Sequence, residues 1–159
     1  MIKWILLVED DLNDADMTLR VLTDGSQQVE VVHVKDGAEA LSCLYHRDAF
    51  ANRNNGPPAL ILLDLKMPRM DGFEVLQRVK NDTNLRSIPV AVFTSSREPS
   101  DVIRGYQLGT NAYVVKPVDF HEFVSTLHAM ENFWLAINEP PPLNYLPRTS
   151  AIAVAAVHN

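Results

Sequence analysis

The sequence is short of cysteine and has no long apolar runs. It contains one cysteine, Cys43, among 159 residues, so no disulfide can form within the chain and nothing points to an oxidising compartment. The N-terminal segment MIKWILLVEDD has an apolar run too short for a signal peptide, and acids follow it directly. No apolar run approaches the roughly 20 residues that span a bilayer. These absences predict a soluble, cytoplasmic protein with no membrane association.

Clustered positive charge is missing as well. The formal net charge is −6, from 14 Lys and Arg against 20 Asp and Glu, and the sequence contains no basic run. Surfaces that bind nucleic acid or anionic membranes need such clusters, so neither is an expected partner. The five histidines are scattered without ligand spacing, which gives no indication of a zinc site.

The sequence is built from a regular alternation of two apolar patterns. Five short runs, rich in β-branched and other apolar residues, predict strands at 4–8, 29–34, 60–63, 90–93 and 112–115. Several are apolar throughout, which is typical of strands that are covered on both faces. Segments with apolar residues three and four apart follow each run and predict helices. The alternation predicts an α/β fold, namely a doubly wound five-stranded parallel sheet with helices on both faces.

The predicted fifth helix has an apolar band that widens toward its end. Its stripe, at spacings of three and four, consists of Phe123, Leu127, Met130 and Trp134. Phe133 and Leu135 fall to either side, so the band is wider than one sheet face can cover and indicates a partner surface. Asn-Glu-Pro-Pro-Pro then ends the helix and stiffens the exit. We therefore predict one domain over 1–137, a Pro-rich extension over 138–159, and a homodimer through the fourth helix, fifth strand and fifth helix with the extension.

Polar residues stand at the ends of four of the five predicted strands. In chain order they are Glu9, Asp10, Asp11, Asp64, Thr94 and Lys116. The carboxyl ends of parallel strands share one edge of the sheet, where ligands bind in this class of fold. Several carboxylates at one edge repel each other and need a hard cation such as Mg²⁺, which takes oxygen ligands. A carboxylate nucleophile beside a hydroxyl donor, an ammonium and a divalent ion suits the acceptance of a phosphoryl group.

Four segments resemble the receiver domains of bacterial two-component response regulators: LLVEDD at 6–11, LLDLKMPRMDG at 62–72, PVAVFTSS at 89–96 and GTNAYVVKP at 109–117. They occur in order, at strand ends, over most of residues 3–137. The resemblance implies a flavodoxin-like receiver fold that is phosphorylated by a histidine kinase, signals by protein contact and turns over no external metabolite. The segments LGTNAYVVKPVDF and WLAINEPPP resemble the single-domain regulators that are paired with cyanobacterial and other bacterial phytochrome histidine kinases.

The resemblance also implies roles for the acidic residues. Asp64 is the expected phosphoacceptor, Asp10 the direct ligand of Mg²⁺ or Mn²⁺, and Glu9 a ligand that acts through water. The backbone carbonyl of Lys66 is a further expected ligand. Asp11 is a third acid that many members of the family lack, and it either helps to bind the ion or begins the first helix, where an acid suits the helix dipole.

Further roles concern the fourth and fifth strands. Thr94 is the expected switch hydroxyl and Lys116 the lysine of the phosphorylation pocket. Tyr113 is the expected switch aromatic, which turns inward when Thr94 moves toward the phosphoryl group, although packing alone also explains its position. The bond between Lys116 and Pro117 resembles the cis peptide of the family.

Two other functions compete with this one. A Mg²⁺-dependent phosphohydrolase with an aspartyl-phosphate intermediate carries a second acid two residues after its nucleophile, and Lys66 stands at that position here. A flavodoxin-like cofactor binder needs a loop rich in glycine and hydroxyls after the first strand, where Glu9, Asp10 and Asp11 would instead repel a phosphate. The polar segment 46–58 has no predicted role.

Overall fold

The computed structural model describes residues 2–25 and 28–142. Its strands are β1 (Lys3–Val8), β2 (Val29–Val34), β3 (Leu60–Leu63), β4 (Val90–Thr94) and β5 (Ala112–Val115). Its α-helices are α1 (Leu12–Thr23), α2 (Gly37–Leu44), α3 (Gly72–Asn81), α4 (Pro99–Gln107) and α5 (Phe120–Glu131). The predicted strands agree with these to within one residue at each end.

The five strands form one parallel sheet in the order β2-β1-β3-β4-β5. Val8 at the end of β1 pairs with Val34 of β2 and Leu63 of β3, so these strands finish at the same level. The helices α1 and α5 pack on one face of the sheet, and α2 and α3 pack on the other, each over its own apolar cluster. The predicted doubly wound α/β architecture is confirmed.

Four of the five helices have an aspartate as their N-cap residue. Asp11, Asp36, Asp71 and Asp119 are the N-caps of α1, α2, α3 and α5, and the side chain of each accepts a hydrogen bond from a backbone N–H in the first helical turn. Such caps satisfy amides that the helix itself leaves free, and each contributes about 1 kcal/mol.

The end of α5 differs from the prediction. A π-helical segment, Asn132–Ile137, continues α5, and Asn138 N donates to Phe133 O across five residues. The wider turn rotates the following side chains, so Leu135 rather than Trp134 follows Met130 into the core. Trp134 is only half-buried at the edge of that cluster, and Phe133 is 44% exposed. The predicted stripe of residues three and four apart is therefore wrong at its last member.

The segment 46–58, which had no predicted role, packs against the first residues of β1 and β2. The indole N–H of Trp4 donates to Gly56 O at 3.2 Å, and the Arg53 guanidinium lies 4.6 Å from the centroid of the Trp4 ring. Arg53 also forms an ion pair with Glu30 of β2 at 3.1 Å. These contacts cover the end of the sheet opposite the predicted site.

The described part of the Pro-rich extension, 138–142, also lies at that opposite end. Pro140 and Pro141 line a cavity of about 230 Å³ together with Trp4, Pro58 and Ile88. Residues 143–159, including the apolar run 151–157, lie outside the described part of the chain. Within the described ranges, none of the helices combines the length and apolar character needed to cross a bilayer.

Candidate functional site

Three carboxylates converge at the carboxyl end of the sheet. Glu9 and Asp10 follow β1, Asp64 follows β3, and one carboxylate oxygen from each lies within 4.8 Å of the others. Glu9 is 2% exposed and Asp64 is 8% exposed, whereas Asp10 is half-buried at the mouth of the group. This pairing of adjacent parallel strands brings together three of the acids that were predicted to meet.

The backbone around Asp64 fixes its side chain at the strand end. Asp64 N donates to Val8 O at 3.0 Å, which extends the ladder between β1 and β3 by one bond. One carboxylate oxygen of Asp64 accepts a hydrogen bond from Leu65 N at 2.9 Å, and Gly72 N donates to Leu65 O at 2.9 Å. The bond between Leu65 and Gly72 therefore joins the two ends of the loop at the point where α3 begins.

The charges of this acidic group are costly in the buried site. Burial raises the pKa of Glu9 to about 7, and the nearby charge of Asp64 acts in the same direction, whereas the Lys116 ammonium opposes both. Burial also raises the pKa of Asp64, although Lys116, the Thr94 hydroxyl and Leu65 N lower it. Buried acids in this condition either hold protons or take up a cation, and an all-oxygen donor set suits a hard divalent ion.

Lys116 reaches the site from the end of β5. Its ammonium is 2.8 Å from a carboxylate oxygen of Glu9 and 2.9 Å from one of Asp14, while its backbone N–H donates to Thr94 O at 2.7 Å. Asp14 was not a predicted site residue, although it stands four residues before the buried Thr18 on α1. A spacing of four places both residues on one side of that helix. This shared side was the only indication that the Asp14 side chain faces the site rather than solvent.

The two predicted switch residues occupy adjacent strands. Thr94 is fully buried at the end of β4, close enough to Asp64 for its hydroxyl to lower the pKa of that acid. The Tyr113 hydroxyl donates to Ser96 O at 2.9 Å, and its ring packs with Leu65, Phe73 and Val92. The Tyr113 side chain is therefore turned toward the loop after β4.

Three further expectations have different outcomes. Asp11 is exposed and outside the acidic group, and its carboxylate accepts hydrogen bonds from Asn13 N and Asp14 N, so it begins α1. Lys66 lies in the loop two residues after Asp64, with an exposed side chain. The expected cis bond before Pro117 is wrong, since every peptide bond among the described residues is trans. The trans form is the lower in energy for a bond before proline, by about 0.5–1 kcal/mol.

Comparison with known proteins gives one consistent result. The family model of the response regulator receiver domain matches residues 5–128. Response regulator Rcp1 of Synechocystis sp. is 37% identical over 133 residues, which make up 84% of this chain and 89% of Rcp1. The solved Mn²⁺-bound form of Rcp1 has a TM-score of 0.81 at 36% identity, over 88% of this chain and 99% of that one.

Two further solved structures are similar over nearly their whole length. The phosphorylated cyanobacterial phytochrome response regulator RcpA has a TM-score of 0.83 at 36% identity, and covers 89% of this chain and 100% of its own. The bacteriophytochrome response regulator RtBRR is 49% identical, with a TM-score of 0.71, and covers 100% of this chain and 97% of its own. Both are response regulators, like the match to Rcp1.

These matches decide between the predicted functions. They span most of the chain, reproduce the five-stranded flavodoxin-like sheet and are proteins of signal transduction rather than metabolic enzymes. They favour neither a phosphohydrolase nor a cofactor-binding flavodoxin, and they confirm the predicted receiver. On the sequence match, the fold and the acidic group at the strand ends, the chain belongs to the response regulator receiver domain family.

Proposed function

We propose that Asp64 accepts a phosphoryl group from a histidine kinase of the phytochrome type. The observation that supports this most directly is the meeting of the Asp64 carboxylate with those of Glu9 and Asp10 within 4.8 Å, beside Thr94 and Lys116. The names of the relatives RcpA and RtBRR, which refer to phytochromes, favour that kind of kinase. Residues 1–137 form the receiver, and 138–159 serve as an extension for partner contact.

The proposed metal is Mg²⁺, bound by the carboxylate of Asp10, that of Asp64 and the backbone carbonyl of Lys66, with Glu9 acting through water. The raised pKa values of Glu9 and Asp64 support this, since a divalent ion relieves the cost of burying both charges. Mn²⁺ suits the same oxygen donors. When bound, the ion supplies positive charge that offsets the charge of the phosphoryl oxygens.

Three side chains of this protein, those of Asp64, Thr94 and Lys116, take part in the transfer step. The Asp64 carboxylate attacks phosphorus in line, so an oxygen–phosphorus bond forms while the bond from phosphorus to the kinase histidine nitrogen breaks, and the imidazole leaves. The Thr94 hydroxyl and the Lys116 ammonium donate hydrogen bonds to the phosphoryl oxygens. Water later attacks the phosphorus of this acyl phosphate, the bond from phosphorus to the Asp64 oxygen breaks, and inorganic phosphate leaves. This step returns Asp64 to a carboxylate and limits the lifetime of the phosphorylated state.

Transfer from a kinase tests the proposal. We expect label to move from the phosphorylated histidine of a phytochrome-type kinase to this chain within minutes when Mg²⁺ is present. A histidine kinase of another sensor class, phosphorylated to the same extent, is the control, and it should transfer label far more slowly. Equal transfer from both kinases would contradict the phytochrome pairing, and no transfer from either would contradict the receiver function.

The metal assignment predicts unequal effects of two neighbouring acids. Asp10→Asn should weaken Mg²⁺ binding, measured by calorimetry, by about tenfold or more, because it removes a charged ligand. Asp11→Asn should change the affinity less than about threefold because its carboxylate caps α1 and asparagine is an equally good cap. The two variants lose the same charge one residue apart, so equal losses of affinity would contradict the assignment.

For the homodimer we propose the face formed by α4, β5 and α5. A groove of about 480 Å³ runs there between β5 and the end of α5, lined by Ala112, Val114, Met130, Phe133 and Trp134 among others. Ile103 and Tyr106 of α4 add exposed apolar area, with more than half of each side chain accessible. Large exposed apolar areas usually mark a contact surface, so this face favours contact with a second copy.

Light scattering tests the homodimer. We expect the wild type to be dimeric at micromolar concentration and Phe133→Glu to be monomeric because a charge would enter the apolar contact. Leu12→Glu is the matched control, since Leu12 is an exposed apolar residue at the start of α1, at the other end of the sheet from Phe133 and outside the face formed by α4, β5 and α5. A wild type that stays monomeric at high concentration, phosphorylated or not, would exclude the dimer.

A further inference from the structure

The Lys116 ammonium forms its ion pairs with two acids other than the phosphoacceptor. Among the described residues, its ion pairs go to Glu9 at 2.8 Å and to Asp14 at 2.9 Å, and none goes to Asp64. The Lys116 side chain is only 9% exposed, and that of Asp14 is 34% exposed, so water screens this contact less than it screens a surface pair. The same ammonium must donate to the phosphoryl group if Asp64 is phosphorylated.

Neither helix capping nor the helix dipole explains where the Asp14 carboxylate lies. The N-cap role for α1 belongs to Asp11, whose carboxylate accepts the backbone N–H of Asp14. The Asp14 carboxylate instead points from the first turn of α1 across to the end of β5, and its hydrogen bond to Lys116 joins residues 102 apart in the chain. An acid in the first helical turn suits the dipole, but the dipole alone does not require this contact.

We propose that Asp14 is a positioning residue that competes with the phosphorylated Asp64 for the Lys116 ammonium. This inference rests on the proposed phosphoacceptor function. In the unphosphorylated protein, Asp14 and Glu9 share the ammonium and hold it toward α1. Phosphorylation places new anionic oxygens on Asp64, and Lys116 must weaken its contact with Asp14 to reach them. Asp14 therefore lowers the occupancy of the phosphorylated state and favours its reversal.

Beryllofluoride, which mimics a phosphoryl group on a carboxylate, measures this competition without turnover. The affinity of each variant is titrated at saturating Mg²⁺, with the backbone amide NMR signal of Thr94 as the reporter. Asp14→Asn should bind beryllofluoride about three- to tenfold more tightly than the wild type because one anionic competitor for a partly buried ammonium is gone. Asp14→Glu keeps the charge and should stay within about twofold of the wild type.

A control variant on the same helix separates position from net charge. Asp16→Asn removes one negative charge two residues away, from a side chain that is exposed and paired with Arg20 at 3.1 Å. It should leave beryllofluoride affinity within about twofold of the wild type, since exposed charges are screened. If Asp16→Asn matches Asp14→Asn, the effect is one of net charge and the inference is wrong.

A double-mutant cycle shows whether Asp14 acts through Lys116. In a Lys116→Gln background, Asp14→Asn should change beryllofluoride affinity by less than about twofold because the competed group is missing. An undiminished effect in that background, or weaker binding by Asp14→Asn itself, would overturn the inference. Labelling of the wild type by acetyl phosphate reports separately on the phosphoacceptor function, so a labelled wild type with a neutral Asp14→Asn contradicts only the competition.

Discussion

Asp64→Asn should lose at least about 1,000-fold in the rate of phosphorylation from acetyl phosphate, followed by intact-protein mass spectrometry. The amide oxygen of asparagine is not a nucleophile at neutral pH, and the neighbouring Glu9 carboxylate is paired with the Lys116 ammonium. Asp64 is fixed by bonds from Leu65 N to its side chain and from its own N to Val8 O. The variant keeps the shape of the side chain, so the loss reports chemistry rather than folding.

The matched control is Asp71→Asn, at the other end of the same loop. The Asp71 carboxylate caps α3 and accepts a hydrogen bond from Glu74 N at 3.0 Å, a contact that asparagine can also make. This variant should label within about threefold of the wild type. Asp64→Asn should also be at least as stable as the wild type because burial raises the pKa of Asp64 and the ionised form is costly to bury. A labelled Asp64→Asn protein would contradict the assignment.

Gly72→Ala should destabilise the fold by about 3 kcal/mol or more in urea unfolding. A Cβ atom at Gly72 would lie 2.1 Å from Asp64 O and 2.7 Å from Leu65 Cα. Both are backbone atoms of the loop that closes on α3, so no side chain can move aside to relieve the overlap. The clash falls beside the phosphoacceptor, so the altered loop should also impair phosphorylation of whatever protein remains folded.

Gly105→Ala provides the comparison for this prediction. Gly105 is also helical, in α4, but the nearest atom to its added Cβ would be Cδ2 of the Tyr113 ring at 3.3 Å. A side chain can shift by that small amount, and alanine gains about 0.5–1 kcal/mol over glycine inside a helix. We expect the unfolding free energy of Gly105→Ala to stay within about 1 kcal/mol of the wild type. Similar values for both alanine variants would mean that the loop at Gly72 is less tightly packed than described.

The sheet could be predicted from two features of the sequence, namely the apolar pattern of its strands and the order of strands and helices. Leu60–Leu63 is apolar at every position, as a strand covered on both faces must be, and its neighbours follow the same rule. The order of strands and helices then fixes which strand ends share an edge, so Glu9, Asp10 and Asp64 could be brought together without coordinates. Their convergence is a consequence of topology.

Features that depend on packing could not be predicted in this way. The π-helical segment after α5 changes which residue is buried, because Leu135 replaces Trp134, and an apolar pattern cannot show where a helix widens. The pairing of Asp14 with Lys116 depends on the distance between α1 and β5, which joins residues far apart in the chain. The inward position of Tyr113 likewise depends on where the loop after β4 leaves Ser96 O.

The measurement that tests the central claim most directly is the chemical location of the phosphoryl group. Borohydride reduces the acyl phosphate of an aspartate to an alcohol, so phosphorylated Asp64 would become homoserine at position 64. After reaction with acetyl phosphate and Mg²⁺, peptide mass spectrometry should find homoserine at position 64, and EDTA should abolish it. Homoserine at Asp10, Asp11 or Asp71 in place of position 64, or none at all in protein that remains folded, would contradict the account.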